Sequence, residues 1–145
     1  IKNGQFFVEN NLKRNSGITI MENVCLNVGK ALELKKGVTY WTNVCAQSAM
    51  SSMGDFIISE TKMHLTNTSI KVKTGNIEID SQSNVNGNLT ALWLENGNLR
   101  NPGLWEAVIG NYCISGSNTI PTNSLSTGEN CAAINDFFMD CICSP

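Results

Sequence analysis

Hydrophobic residues recur at helical spacing through the first part of the chain. Between Ile20 and Leu34 most apolar positions follow an i, i+3, i+4, i+7 pattern, which gives a helix one apolar stripe. Thr19 and Glu22 have the spacing of a capping box, which marks a helix start. The pattern predicts one long, interrupted helix over residues 1–34, or a short helix followed by a better one. A connecting loop over 35–54 is expected to follow.

From residue 55 onward the period changes to two, which is typical of strands. In SIKVKTGNIEID, a turn at Gly75-Asn76 places apolar residues on one face and opposite charges on the other. In LTALWLENGNLR, Asn96-Gly97 is a preferred hairpin dipeptide. These segments predict an antiparallel β-sheet over 55–112. A further strand is expected in LWEAVIGNYC, where three apolar residues alternate with others: Trp105, Ala107 and Ile109.

The last part of the chain begins with a segment rich in Ser, Thr, Asn, Gly and Pro after Cys113, which predicts a loop. A short helix follows, because four apolar residues stand at helical spacing: Ile134, Phe137, Phe138 and Cys141. No internal repeat of 20–50 residues is evident. The expected fold is a single α+β domain over 1–145, in which a long N-terminal helix packs on an antiparallel β-meander before a disulfide-tied C-terminal region over 113–145.

The cysteines favour an oxidising compartment. Their number is even, no pair has C-x-x-C spacing, and the only histidine, His64, lies far from the cysteine-rich end, so three disulfides fit better than a zinc site. Six cysteines allow 15 pairings, and the sequence does not choose among them. The six are Cys25, Cys45, Cys113, Cys131, Cys141 and Cys143.

The composition is poor in charge and rich in neutral polar residues. The chain has 145 residues with 20 Asn, 13 Ser and 11 Thr, while 10 Lys+Arg and 12 Asp+Glu give a net charge of −2. This balance excludes electrostatic binding of nucleic acid. The sequence contains no run of 18 apolar residues, so it predicts no membrane span. The chain starts at Ile1 without Met or a signal peptide. For a secreted product, we expect an export signal or a membrane anchor upstream.

The residue inventory predicts no catalytic, metal or cofactor site. A single histidine and oxidised cysteines argue against thiol catalysis, and no phosphate-binding or metalloprotease motif occurs. Carboxylate pairs such as Glu9 with Glu22 could support acid–base chemistry, but Asp136 with Asp140 is better interpreted as a solvated helix face. Asn67 and Asn88 begin glycosylation sequons, which matter only in a eukaryotic source.

The aromatic residues offer one possible binding platform for sugars. Trp93 is the best single candidate, with Trp105 and Tyr112 as further possible ligand contacts and Trp41 as a fourth aromatic residue. The alternative is that Trp93 packs under the C-terminal loop or against the long helix, because large aromatic side chains mostly contribute burial.

The order of these predicted elements resembles the soluble part of a type IV pilin or pseudopilin that lacks its membrane-spanning first half-helix. IKNGQFFVENNLKRNSGITIMENVCLNVGKALEL would correspond to the second half of the spine helix. Cys113 with Cys131, Cys141 or Cys143 would delimit the C-terminal loop region. KRNSGITI and NLTALWLENGN are also similar to minor pseudopilins of the GspH/FimT type, which would require ITIMENVC to be a strand.

The resemblance implies a non-catalytic extracellular filament subunit that acts in assembly and surface adhesion. Its partners would be other pilin subunits and a host receptor or glycan, and it would contact the membrane only through the missing N-terminal segment. It would lie at the cell surface, after a periplasmic or inner-membrane stage. The alternatives are a free-standing receptor- or glycan-binding adhesive module and a secreted disulfide-rich effector.

Overall fold

The computed structural model describes residues 2–100, 104–115 and 131–140. Strands dominate, and one short helix follows them. The strands are β1 (Lys2–Val8), β2 (Leu12–Arg14), β3 (Gly17–Val28), β4 (Leu32–Ser48), β5 (Phe56–Thr74), β6 (Ile77–Ile79), β7 (Asn84–Asn96), β8 (Leu99–Arg100), β9 (Leu104–Trp105) and β10 (Val108–Ile114), and the helix is α1 (Cys131–Asp140).

All the described strand pairs are parallel, and each pairs a residue with one about 20 positions later. Lys2 aligns with Glu22 and Leu32 aligns with Phe56, so the offset varies between 20 and 24 residues. Each turn of the chain therefore stacks on the previous turn at the usual strand separation of about 4.8 Å. The chain forms a β-solenoid, in which β3, β4, β5 and β7 contribute successive coils.

The hydrophobic core lies inside the coils, where identical positions stack into columns. One column holds Leu32, Phe56, Ile77 and Leu99, each no more than 4 % exposed. Trp41 is also fully buried, and its ring packs at 6.1 Å from that of Phe56. Between the corners, alternate residues of the long strands point inward, so successive coils add layers to one continuous core.

A ladder of asparagines lines one corner of the solenoid. Asn3, Asn23, Asn43 and Asn67 all have positive φ, between 49° and 54°. Each later side-chain amide donates to the preceding one, with Nδ2 to Oδ1 distances of 2.9, 3.0 and 2.8 Å. The hydroxyl of Thr90 extends the series by donating to Asn67 Oδ1 at 2.9 Å. Asparagine suits this corner because it tolerates the left-handed conformation and because its side-chain amide can donate a hydrogen bond to another asparagine amide.

The predicted long N-terminal helix is wrong, and with it the α+β fold and the pilin resemblance. Residues 2–34 form β1, β2, β3, the start of β4 and the turns between them. In β3 the inward residues are Met21, Val24, Leu26 and Val28. The left-handed Asn23 breaks the strict alternation between the first two, and the next turn separates Val28 from Leu32. Inward apolar residues on either side of a corner are therefore three or four positions apart, which is also the spacing of an apolar stripe on a helix.

The predicted antiparallel sheet over 55–112 is also wrong, because its two hairpin turns are corners of consecutive coils. Gly75 donates its N–H to the carbonyl oxygen of Asn96 at 3.0 Å, and Asn98 N–H donates to Asn76 Oδ1 at 3.0 Å. A Cβ at Gly75, where φ is 151°, would lie 1.8 Å from the carbonyl oxygen of Gly54. The glycine is needed because backbone from the preceding coil occupies that space. Residues 35–54, predicted as a loop, lie mostly in β4.

The later part of the chain follows the sequence pattern more closely. Trp105, Ala107 and Ile109 are buried while Glu106 and Val108 are exposed, as the alternation predicts. Helix α1 covers residues 131–140, and its Ile134 and Phe138 are buried. The predicted loop between Cys113 and Cys131 and the position of Cys141 lie outside the described residues.

Disulfide bonding is present, as the cysteine pattern predicts. Cys113 is bonded to Cys131 with an S–S distance of 2.01 Å, which ties α1 to β10. Cys25 and Cys45, which lie on neighbouring coils, each take part in a disulfide as well. No described cysteine is free, while Cys141 and Cys143 lie outside the described residues. None of the helices described is long and apolar enough to cross a membrane.

Candidate functional site

A regular face of the solenoid is formed by outward, exposed or half-buried side chains of β3, β4, β5 and β7. We call it the ladder strip. It consists of two adjacent columns, whose members are register partners on successive coils: Ile18, Val38, Lys62 and Asn84 in one, and Ile20, Tyr40, His64 and Asn86 in the other.

Strand alternation fixes the orientation of the strip. The residues between its members point inward and are buried, as Thr39, Met63 and Val85 show with exposures of 0 or 1 %. Parallel pairing then places equivalent outward side chains directly above one another. The core therefore holds the ladder strip rigidly, without help from loops.

An aromatic stack lies at the centre of the ladder strip. The rings of Tyr40 and His64 are 4.8 Å apart and nearly parallel, with an interplanar angle of 10°. On the far side of His64, its Nδ1 is 2.8 Å from Asn86 Oδ1, so this hydrogen bond orients the imidazole. The three side chains form one ordered series across three coils.

The composition of the strip changes along the solenoid. Its first two coils are apolar and strongly exposed, with Ile18 70 %, Ile20 49 % and Tyr40 44 % exposed. Its later coils carry Lys62, His64 and the two asparagines. Exposed apolar groups beside aligned hydrogen-bonding groups are typical of a recognition surface.

The stacking determines which groups remain for a ligand. One face of the Tyr40 ring is covered by His64, and Ile20 occupies the same column on the coil beyond the other face. A sugar ring consequently cannot stack on the face of Tyr40 that His64 covers. What the column presents outward is ring edges, the tyrosine hydroxyl and amide groups, which suits hydrogen bonding.

The aromatic residues singled out in the sequence lie elsewhere. Trp105 is 7 % exposed and its Nε1 donates to the carbonyl oxygen of Ala107 at 2.8 Å. Tyr112 is partly buried against the core, and Trp41 is inside it. The structure does not bring Trp93, Trp105 and Tyr112 together as one exposed platform, and their role as ligand contacts stays a prediction.

Trp93 packs beneath helix α1, which is close to the alternative considered for it. Its ring lies 5.9 Å from that of Phe138, and Lys71 Nζ lies 4.3 Å from the Trp93 ring centre. Burial lowers the pKa of Lys71, although Glu95, at 3.8 Å, acts in the opposite direction. This cluster anchors α1 to the solenoid.

Two other polar clusters are already satisfied by the protein. Arg14 donates to Thr39 Oγ1 at 2.6 Å, to Val38 O at 3.0 Å and to Thr61 Oγ1 at 3.2 Å, and burial lowers its pKa. Burial also raises the pKa of the Asp80 carboxyl, but hydrogen bonds outweigh this effect and hold the pKa below its ordinary value. The donors are the hydroxyls of Ser83 and Ser59 and the backbone N–H groups of Glu60 and Gln82.

A shallow groove beside Asp80 offers no catalytic arrangement. Its volume is about 270 Å³, and its lining includes Ile57, Glu78 and Arg100. Glu78 and Arg100 pair with each other at 3.3 Å, and Asp80 is engaged as described. Across the described parts of the chain, no three His, Cys, Asp or Glu residues are grouped so that they could hold a metal ion.

The chain matches no protein-family model, and neither the curated proteins nor the solved structures gave a match. The ladder strip is therefore the feature from which a function can be argued. In the sequence His64 stands out only as the single histidine, and no local pattern singles out Tyr40. The two residues are 24 positions apart and meet only through the register of β4 and β5.

Proposed function

We propose that this protein is a non-catalytic, extracellular adhesive module that binds a glycan through the ladder strip. The observation that carries the proposal is the Tyr40–His64–Asn86 series, which presents hydrogen-bonding groups at fixed spacing on a rigid face. Sugars are recognised by such groups, and a preorganised surface loses little entropy on binding. The disulfides support an oxidising compartment.

The geometry makes a specific statement about how the glycan is held. Because the stack covers one face of the tyrosine ring, the Tyr40 hydroxyl contributes more than the ring surface. Replacement of Tyr40 by Phe keeps the stack and removes only the hydroxyl. A lost hydrogen bond to a neutral group corresponds to about a two- to tenfold loss of affinity.

A glycan array with purified protein tests this proposal. We expect the wild type to bind a defined set of glycans, Tyr40→Phe to bind them more weakly and Tyr40→Ala to lose them. Phe7→Ala is the matched control, because Phe7 is an aromatic residue that is 67 % exposed and lies outside the strip. Circular dichroism establishes that each variant is folded. Absence of glycan binding by the wild type, or equal binding by Tyr40→Phe and the wild type, would contradict the proposal.

A protein receptor is the second candidate, because Ile18 and Ile20 form an exposed apolar patch at one end of the strip. An adhesion assay on cultured cells separates the two. Binding that survives glycosidase treatment of the cells but not protease treatment, and that is lost in Ile18→Ser, favours a protein. The reverse sensitivity to the two enzymes favours a glycan.

A further inference from the structure

The charged residues of the ladder strip narrow the class of glycan. Lys62 is exposed and stands in the middle of its column, between Val38 on one coil and Asn84 on the next. Within the described part of the chain, Lys62 forms no ion pair, and neither do Lys30, Lys36 and Lys73, but of these four only Lys62 lies in the ladder strip. The ladder strip therefore carries one lysine whose charge no described carboxylate compensates.

Three carboxylates lie near the ladder strip, and each is either paired with another residue or placed away from Lys62. Glu22, in the column beyond Tyr40, pairs with Lys2 at 3.5 Å. Glu60 is at a corner of the solenoid, where its φ is 49°. Glu106 is exposed and follows β9, the coil after Asn84. None of the three is within ion-pair distance of Lys62.

The spacing of the remaining groups fits one acidic sugar unit. Lys62 and His64 are two residues apart on β5 and point the same way, which places their Cα atoms about 6.6 Å apart. Lys62 can therefore pair with an anionic group while His64 and Tyr40 contact hydroxyls of the same or the adjacent unit. The apolar neighbour Val38 reduces the hydration of such an ion pair, which strengthens it.

We infer that the ladder strip recognises an acidic glycan, with the anionic group held by Lys62. This inference rests on the proposed function and specifies its ligand. The anionic group can be the carboxylate of a uronic or sialic acid or the sulfate of a sulfated sugar, since both pair with an ammonium group.

The test compares ligands that differ only in charge. Binding of oligogalacturonate and of its methyl-esterified form is measured by isothermal titration calorimetry, and dextran sulfate against dextran forms a parallel comparison. The variants are Lys62→Gln and, as a matched control, Lys73→Gln, which alters an exposed lysine of the same strand outside the strip.

We expect the wild type and Lys73→Gln to prefer the charged member of at least one pair by about tenfold, and Lys62→Gln to lose that preference. The preference should also shrink as salt is raised from 0.05 to about 0.5 M. A preference within the oligogalacturonate pair identifies the anionic group as a carboxylate, and a preference within the dextran pair identifies it as a sulfate. Equal binding of charged and neutral members would overturn the inference and leave the proposed function intact, whereas a wild type that binds no glycan on the array would overturn both.

Discussion

The asparagine ladder should contribute measurably to stability, and Asn43 is the position at which this is best tested. Its side chain donates to Asn23 Oδ1 at 3.0 Å and accepts from Asn67 Nδ2 at 2.8 Å, while its φ is 53°. Replacement by Ala removes both hydrogen bonds and places a Cβ-bearing residue without a compensating side chain in the left-handed region. The first effect acts through the side-chain amide and the second through the backbone conformation, so a second substitution at the same position can separate them.

The magnitude follows from these two effects. Two exposed hydrogen bonds contribute about 1–2 kcal/mol together, since each is at the low end of its usual range. The left-handed conformation costs an alanine about 1–2 kcal/mol. Asn43→Ala should therefore lower the free energy of unfolding by about 2–4 kcal/mol. Asn43→Gly loses the same hydrogen bonds but avoids the conformational cost, so it should be milder by up to ~1 kcal/mol after the greater entropy of unfolded glycine is deducted.

Urea denaturation followed by tryptophan fluorescence measures these differences, provided that the slope with denaturant is unchanged. Asn10→Ala is the control, because Asn10 is an exposed asparagine of the turn between β1 and β2 with a normal φ. It should change stability by no more than about 0.5 kcal/mol. The explanation is refuted if Asn43→Ala is no worse than Asn10→Ala, or if Asn43→Gly is as damaging as Asn43→Ala.

Three further predictions concern other parts of the solenoid. Gly75→Ala should lower the free energy of unfolding by at least ~3 kcal/mol in the same urea assay, because its Cβ would meet the Gly54 carbonyl oxygen. Gly17 has a φ of 105° but nothing within 4 Å of an added Cβ, so Gly17→Ala should lower it by only about 1–2 kcal/mol. The lowered pKa of Asp80 means that its contribution to stability is present above the unfolded value near 3.9 and is lost as the pH falls through the folded value. Urea titrations between pH 5 and about 2 should therefore show a smaller loss of stability for Asp80→Asn than for the wild type. Phe138→Ala should free helix α1, raising hydrogen exchange in residues 131–140 and changing Trp93 emission, while leaving exchange in β3 and β4 unaltered.

Local patterns in the sequence predicted local structure where no corner intervened. The alternation at Trp105, Ala107 and Ile109 and the helix at 131–140 needed only the immediate neighbours. The hairpin interpretation of SIKVKTGNIEID failed because opposite charges and shared apolar faces suit antiparallel pairing as well as they suit stacking on other coils. The deciding contacts are with residues about 20 positions away, which no short window contains.

A signal for the solenoid was nevertheless present in the spacing of single residues. Asn3, Asn23 and Asn43 are each 20 residues apart, as are Cys25 and Cys45. The repeat is conspicuous only at corners, because the inward positions accept any apolar side chain of suitable volume. An insertion lengthens the next interval to 24 residues, so a strict period is lost. The ladder strip depends on that same long interval and could not be located from the sequence.

The solenoid also accounts for the shortage of charge in the composition. In a parallel stack, equivalent outward positions lie about 4.8 Å apart on successive coils, so a charge repeated at one position would repel its copy. The charged residues that do stack alternate in sign: Lys2 with Glu22, Lys13 with Glu33 and Glu78 with Arg100 are register partners and ion pairs. Neutral asparagine avoids the problem altogether, since one amide can donate to the next identical amide. Lys62 is stacked between two uncharged residues, Val38 and Asn84, so its column offers no opposite charge to pair with it and leaves it available to an anionic ligand.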